Sequence, residues 1–357
     1  MRYLHVVESL RRGGMETTFL AMLRIFRELE AVGSAAHDVL AFSDGPLRFD
    51  YLASASHLFI ASTGEELRGV LDRRYELVNL LFDRCAHRLA PMLLARGDSA
   101  IFYSKGYDIA AMYRMEGGFE WRAEDALLCA CDGISFTTPE LARHYAQSPL
   151  RKTFLEKAVE FERFSCVPPV SARTPNRVLC IANLHPRKHV VDLVTVLRLL
   201  LHHVPNVELR VVGEGERDWI QSEAEAAGVA GRFVMAGRSD DVPREIADCR
   251  VVVLPSQCEG VPTALLEAMA AGRPVVCAQV GHIETILTDG REGFFVSHGD
   301  IASFADRLRT ILIDPELASR MGDAGRATAA AHDVRGIAAR YLESLRATAV
   351  RWRSEES

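Results

Sequence analysis

Two α/β domains, each built on a parallel sheet, are what the sequence predicts, and three observations predict them. Short runs rich in Val, Ile and Leu alternate with helix-length amphipathic stretches, the pattern of βαβ units. The runs are apolar almost throughout rather than alternating, as strands covered on both faces are. At 357 residues the chain exceeds one ordinary core and suits two.

In the N-terminal half, Tyr3–Val7 reads as a strand, Met15–Leu29 as an amphipathic helix and His37–Phe42 as a second strand. Further strands are expected at Leu58–Ile60, Leu77–Leu81, Ala100–Tyr103 and Gly133–Phe136. The stretch Cys166–Thr174 (CVPPVSART) is rich in Pro and small polar residues and reads as a linker, dividing the chain into domains 1–168 and 169–333. Beyond it come strands Arg177–Ala182, Val207–Val212, Arg232–Met235, Arg250–Leu254, Pro274–Cys277 and Gly293–Val296. Between them, Val190–His203 is apolar on one face, Trp219–Ala227 ends before Gly228, and Thr263–Ala271 ends at Gly272, where a cap glycine belongs. The tail Val334–Arg346 sets Ile337, Tyr341 and Leu345 on one helical face, and the closing RWRSEES is expected to fray.

The formal charge of −6 is spread along the chain, which argues against nucleic acid as the main partner. No apolar run has the length of a membrane span, and the N-terminal apolar stretch is too short for a signal peptide. The eight cysteines form no C-x-x-C pair, and Cys180 and Cys277 sit inside apolar strands. They are expected to be reduced, buried thiols in a cytoplasmic protein.

The chemistry is concentrated in PSQCEGVPTALLEAMAAGRPVV, residues 255–276. A strand runs into a loop there, Pro262 is placed to start a helix, and Gly272 and Pro274 stop it. Ligands of open parallel sheets bind at strand carboxyl ends, and a helix N-terminus with unpaired N–H groups suits a phosphate. Thr263 to Glu267 spans ~6 Å at about 1.5 Å per residue, roughly the distance from a diphosphate to the ribose of one nucleotide. One of Glu259 and Glu267 can then hold ribose and the other a sugar. The apolar neighbours of Glu267 predict its burial. Arg187 and Lys188, in the loop after Arg177–Ala182, can pair with a diphosphate. The pair Asp240-Asp241 reads as two solvated loop carboxylates, and no metal site is expected.

From Ser256 to Val275 the segment matches S-x-x-E-G-x-P-x-x-x-L-E-A-M-A-x-G-x-P-V, and so resembles the E-x7-E signature of the glycosyl transferases group 1 family, glycosyltransferase family four. IANLHPRKHV resembles that family's G-[RN]-L-x-P-x-K-G loop, and VVGEGER its V-G-x-G-P segment. AGRSDDVPREIADCRVVVLPS and GHIETILTDGREGFFVSHGD resemble the stretches before and after the signature. GGMETTFLAML resembles G-G-x-E followed by a helix, and KAVEFERF the N-G-V-D-x-x-x-F connection. The resemblance covers nearly all of residues 177–300 and is patchy before residue 170.

The resemblance implies the GT-B fold, two Rossmann-like domains facing across a cleft, with helix 334–350 packing back on the first domain. It implies a nucleoside-diphosphate sugar as donor substrate, no cofactor, and transfer to an acceptor hydroxyl with retention; the residues themselves predict that no metal ion is needed. No two aspartates are separated by one residue, as a metal-holding Asp-x-Asp would require. Glu259, Lys188 and Arg187 become the catalytic candidates, with Arg187 supplying charge where Asn183 stands in place of a frequent Arg. Gly14, Asn183, Gly213, Glu214, Gly237, Arg238, Gly260, Val261, Pro262, Thr263 and Glu267 join them as donor-binding candidates. Glu16 is expected to face the acceptor. The His that commonly follows the strand at Ala100–Tyr103 is missing from Tyr103-Ser104-Lys105-Gly106, and Lys105 is the candidate to take part of its role. The rival reading is a catalytically silent, nucleotide-sugar-binding accessory subunit. A sugar-nucleotide epimerase is the third, and the intact signature argues against it.

Overall fold

A computed structural model describes residues 1–30, 34–81, 83–105, 128, 130–137, 143 and 151–356. Gly106 and Cys129 lie outside the described residues. The chain forms two compact units, Met1–Ala158 with Val334–Ser357, and Val159–Asp333.

The first unit is a seven-stranded parallel sheet in the order β3-β2-β1-β4-β5-β6-β7. Its strands are β1 Arg2–Val7, β2 Ala36–Ala41, β3 Leu58–Ile60, β4 Leu77–Leu81, β5 Ala100–Lys105, β6 Gly133–Phe136 and β7 Arg151–Phe154. Alternate residues face opposite layers. Tyr3, Leu77 and Phe102 pack with helices Gly14–Leu29 and Val334–Glu356, while Leu4, Val78 and Tyr103 pack with Gly64–Leu71 and Asp83–Arg96. The last helix runs through the segment expected to fray, because Arg351 pairs with Glu355 and Arg353 with Glu76.

A buried polar chain crosses this sheet. Ser135 donates to Ser104 (3.2 Å), and Ser104 is bonded to Tyr341 of the last helix. The Tyr341 hydroxyl donates to Asn79 Oδ1 (2.9 Å), Asn79 Nδ2 meets His5 Nδ1 (3.0 Å), His5 Nε2 meets His37 Nδ1 (2.9 Å), and His37 Nε2 meets Glu30 (3.0 Å). Each donor in that order finds an acceptor, ending on a carboxylate that Arg346 also holds at 2.9 Å.

The second unit is a six-stranded parallel sheet, β10-β9-β8-β11-β12-β13. Its strands are β8 Arg177–Ile181, β9 Glu208–Val212, β10 Phe233–Gly237, β11 Val251–Leu254, β12 Val275–Ala278 and β13 Gly293–Val296. Strand order reverses between β8 and β11, so the connections after these neighbours leave toward opposite sides and open a crevice at their carboxyl ends. The chain divides at Ala158, ahead of the Pro-rich stretch, because the second unit grips that stretch. Val159 N–H donates to His332 O (3.0 Å), Arg326 donates to Val167 O (2.9 Å), and Arg273 to Pro168 O (2.9 Å). Arg273, 1% exposed, also donates to the carbonyls of Ile246, Ala247, Cys249 and Ala271, closing the C-terminal ends of two helices. No helix among the described residues is long and apolar enough to cross a membrane.

Candidate functional site

Tight backbone approaches shape the carboxyl end of the second sheet. A β-carbon on Gly213 would stand 1.9 Å from Ala182 O, so the chain after β9 lies directly against the chain after β8. Leu184 N–H then donates to Glu214 O (2.7 Å). Asn183 is exposed beside this seam. From there Pro186–Lys188 makes a 3-10 turn, with the His185 ring accepting from Arg187 N–H (3.4 Å). Gly237, expected just past its strand, is instead the last residue of β10, with φ 71 and its carbonyl accepting from Gly213 N–H (2.9 Å).

After β11, the buried Ser256 leads into the signature loop. Gln257 N–H donates to Arg187 O (2.8 Å), tying this loop to the cation-bearing turn. Glu259 and Lys188 form an ion pair, their side chains 9% and 20% exposed. Partial burial of both partners shields the pair from the screening that weakens surface ion pairs. Beneath it, burial pushes the Cys180 thiol up to about 12, which makes that sulfur inert. The helix Thr263–Ala270 follows, begun by the buried Pro262, with no side-chain cap and no acid in its first turn. Its leading N–H groups and partial positive charge therefore meet no competing carboxylate of their own helix. Gly272, at φ 66, follows the helix as a left-handed terminator. Glu267 lies one turn inside and is half-buried rather than buried, because it takes the edge of the helix between Leu266 and Ala268, both of which face the core.

Sequence reasoning missed Gly281. Its φ is 63, and a β-carbon there would stand 1.8 Å from Glu259 O. His282 N–H donates to Gly260 O (3.2 Å). The turn after β12 thus presses on the backbone of Glu259 and Gly260, and it lines a depression with Gln279, Val280, Ile283 and Glu284. The sequence signals were a Gly-His pair just past an apolar strand and its place at the head of GHIETILTDGREGFFVSHGD, neither of which singles out the glycine.

Arg238 stands 3.6 Å from Glu214 and 2.9 Å from Asp240, while Asp241 caps Val242–Ala247 by accepting from Arg244 N–H (3.2 Å). Each acid of the adjacent pair thus has a protein partner. None of the described cysteines is in a disulfide; Cys85, Cys131, Cys180, Cys249 and Cys277 are buried, Cys258 half-buried and Cys166 exposed.

The remaining candidates belong to the first unit. Gly14 opens helix Gly14–Leu29, and Glu16 folds back so that a β-carbon on Gly13 would meet its Oε2 at 2.3 Å. Burial raises the Glu16 carboxyl pKa, against the opposing pull of its own backbone N–H and of Lys157. Lys105 ends β5 and is 2% exposed. The structure thus gathers Asn183, Arg187, Lys188, Gly213 and the Glu259–Glu267 segment at the strand ends of one sheet. Gly14, Glu16 and Lys105 sit on the other.

Comparison with known proteins bears on the same segments. Residues 167–328 match the family model "Glycosyl transferases group 1". The putative glycosyltransferase EpsD of Bacillus subtilis is 34% identical over 150 residues, 42% of this chain and 39% of that protein. The D-inositol 3-phosphate glycosyltransferase of Streptomyces scabiei is 30% identical over 218 residues, 54% of this chain and 47% of that protein. The chain thus spans half or less of these relatives. Among solved structures, Anabaena Alr3699/HepE in complex with UDP and glucose superposes with TM-score 0.81 at 18% identity, covering 96% of this chain and 98% of that one. Sucrose-phosphate synthase from Thermosynechococcus elongatus gives 0.77 at 16% identity, covering 95% and 97%. At such identities the likeness is one of fold, and the fold is the α/β GT-B type.

Proposed function

We propose that the chain is a member of the glycosyl transferases group 1 family, whose model matches residues 167–328, and that it moves a sugar from a nucleoside-diphosphate donor to an acceptor hydroxyl, with retention and without a metal ion. One observation carries the reading. Lys188 and Glu259, far apart in sequence, pair across the strand reversal beside an uncapped helix N-terminus. A cation, a carboxylate and a set of N–H donors are what a diphosphate and its sugar require together.

Breaking the anomeric bond adds negative charge to the departing diphosphate and positive charge to the sugar ring. Lys188 is already oriented by Glu259, so it meets the growing negative charge without rearranging. Arg187 and the N–H groups at Thr263 share that load. Glu259 accepts hydrogen bonds from sugar hydroxyls, and Glu267, a turn farther along the same helix, from ribose. Glu16 and Lys105 are the acceptor-side groups of this reading. Relatives named as glycosyltransferases and solved neighbours holding UDP or UDP-glucose support a nucleotide donor and make UDP the first to try.

The test is thermal stabilisation by UDP, GDP, ADP, TDP and CDP, followed by transfer assays with the sugars of whichever binds. Saturating ligand raises the melting temperature for at least one nucleotide. Transfer after exhaustive EDTA stays within about twofold of the untreated rate, a barrier change under ~0.5 kcal/mol. No response to any nucleotide overturns the donor site, and activity lost to EDTA and restored by Mg²⁺ or Mn²⁺ overturns metal independence.

A further inference from the structure

The residue after Lys188 is His189, a non-glycine residue held in the left-handed region at φ 48 and ψ 32. That conformation is unfavourable for a side-chain-bearing residue, so its neighbours must over-determine it. They do so through the ring. Nδ1 lies 3.2 Å from Asp192 Oδ2, where helix Asp192–Leu201 begins, and Nε2 lies 3.4 Å from Gln257 Oε1 on the signature loop. The His298 ring, just past β13, meets it edge-on at 4.5 Å and 85°. Asp192 accepts the Nδ1 proton, and the Gln257 amide, by turning over, serves either form of Nε2. Gln257 is the residue whose own N–H holds Arg187 O at 2.8 Å.

We propose that His189 is a positioning residue. Its ring fastens the turn carrying Arg187 and Lys188 to the loop carrying Glu259, and so fixes where the two cations stand for a donor diphosphate. The inference rests on reading this site as a donor site. His189 itself touches no reacting atom.

Two accounts of the position make opposite predictions. If only the backbone shape matters, glycine serves better than histidine, since it adopts positive φ without strain. If the ring matters, glycine leaves the fold intact and loosens the cations. Asparagine separates the two ring contacts, because it tolerates this conformation and reaches Asp192 but is too short for Gln257.

The experiment measures affinity for UDP, GDP, ADP, TDP and CDP by calorimetry, with melting temperatures, for wild type, His189→Gly, His189→Asn, Gln257→Ala and the double variant His189→Gly with Gln257→Ala. The expected result is a melting temperature kept or raised in His189→Gly, with nucleotide affinity ~10-fold or more weaker. His189→Asn recovers part of the loss. The double variant is no worse than His189→Gly alone, since the two residues act through one contact. Affinity within twofold of wild type in His189→Gly, or strictly additive losses in the double variant, overturns the positioning role while leaving the donor site standing. Should His189→Gly unfold, His189→Asn and Gln257→Ala decide by the same criterion. A wild-type protein that binds none of the five nucleotides overturns the donor-site reading and this inference with it.

Discussion

Gly281 lies against the main chain of Glu259, where an added β-carbon would stand 1.8 Å from the carbonyl oxygen. A φ of 63 makes the same residue unfavourable for any side chain on conformational grounds alone. Gly281→Ala must push the signature loop away from the turn after β12. Donor kcat/KM is expected to fall by ~10-fold or more, because sub-ångström placement of Glu259 governs its alignment. Stability should drop by ~2 kcal/mol, the scale of left-handed strain plus overpacking. A Gly281→Ala enzyme with unchanged kinetics contradicts the close approach.

Glu259 and Glu267 should separate kinetically. Glu259→Ala is expected to lower kcat by ~10²-fold, since this carboxylate aligns both the sugar and Lys188. Glu267→Ala should raise donor KM with kcat held, because ribose contacts are the same in ground and transition states. Steady-state kinetics at saturating and limiting donor distinguish the two. Unchanged donor KM with low kcat in Glu267→Ala removes the ribose assignment.

Arg187 is tethered through its carbonyl, so truncating its side chain leaves the Gln257 hydrogen bond in place. Arg187→Ala therefore isolates the guanidinium. A loss of ~2 kcal/mol or more in kcat/KM is expected for a charged contact to phosphate. Lys188→Ala should weaken both affinity and rate. If Arg187→Ala is neutral, the cationic work falls to Lys188 and the helix N-terminus.

The first unit should weaken in acid. His5 is fully buried between the rings of Phe19, Phe26 and His37, with Asn79 on Nδ1, and burial and then His37 hold its pKa well below the ordinary 6.5. The unfolded chain takes up a proton near pH 6.5 that the folded unit refuses. The contribution is therefore complete above that pH and is lost as pH falls below it, by at most about 1.4 kcal/mol per pH unit. Urea melts of wild type and His5→Asn between pH 7.5 and 5 check this. The variant is less stable at pH 7.5, and its stability declines less on acidification. Equal slopes remove His5 as the cause.

Sequence revealed the sheets well where burial makes strands uniformly apolar, as in Val251–Leu254, buried throughout. It did not reveal β7, because Arg151–Phe154 is a polar edge strand with no such run. Spacing along one helix related Thr263 to Glu267, but the partnership of Lys188 with Glu259 depends on β8 lying beside β11. Nothing local encodes that adjacency. His189 escaped for a similar reason, since its ring meets residues from a helix start, the signature loop and a strand end at once.

The composition of the first unit has a consequence for biosynthesis. Ile337, Tyr341 and Leu345 fill the layer beside β1, β4 and β5, and Tyr341 supplies a partner that buried Asn79 needs. A ribosome delivers those residues only after the whole of Val159–Asp333. Until then that face of the nascent sheet is covered by helix Gly14–Leu29 alone and the Tyr341 hydrogen bond to Asn79 is unmade, conditions under which a chain aggregates or waits on chaperones. The second unit, encoded without interruption, is therefore expected to fold first on the ribosome, and the unit that is synthesised earliest to finish last.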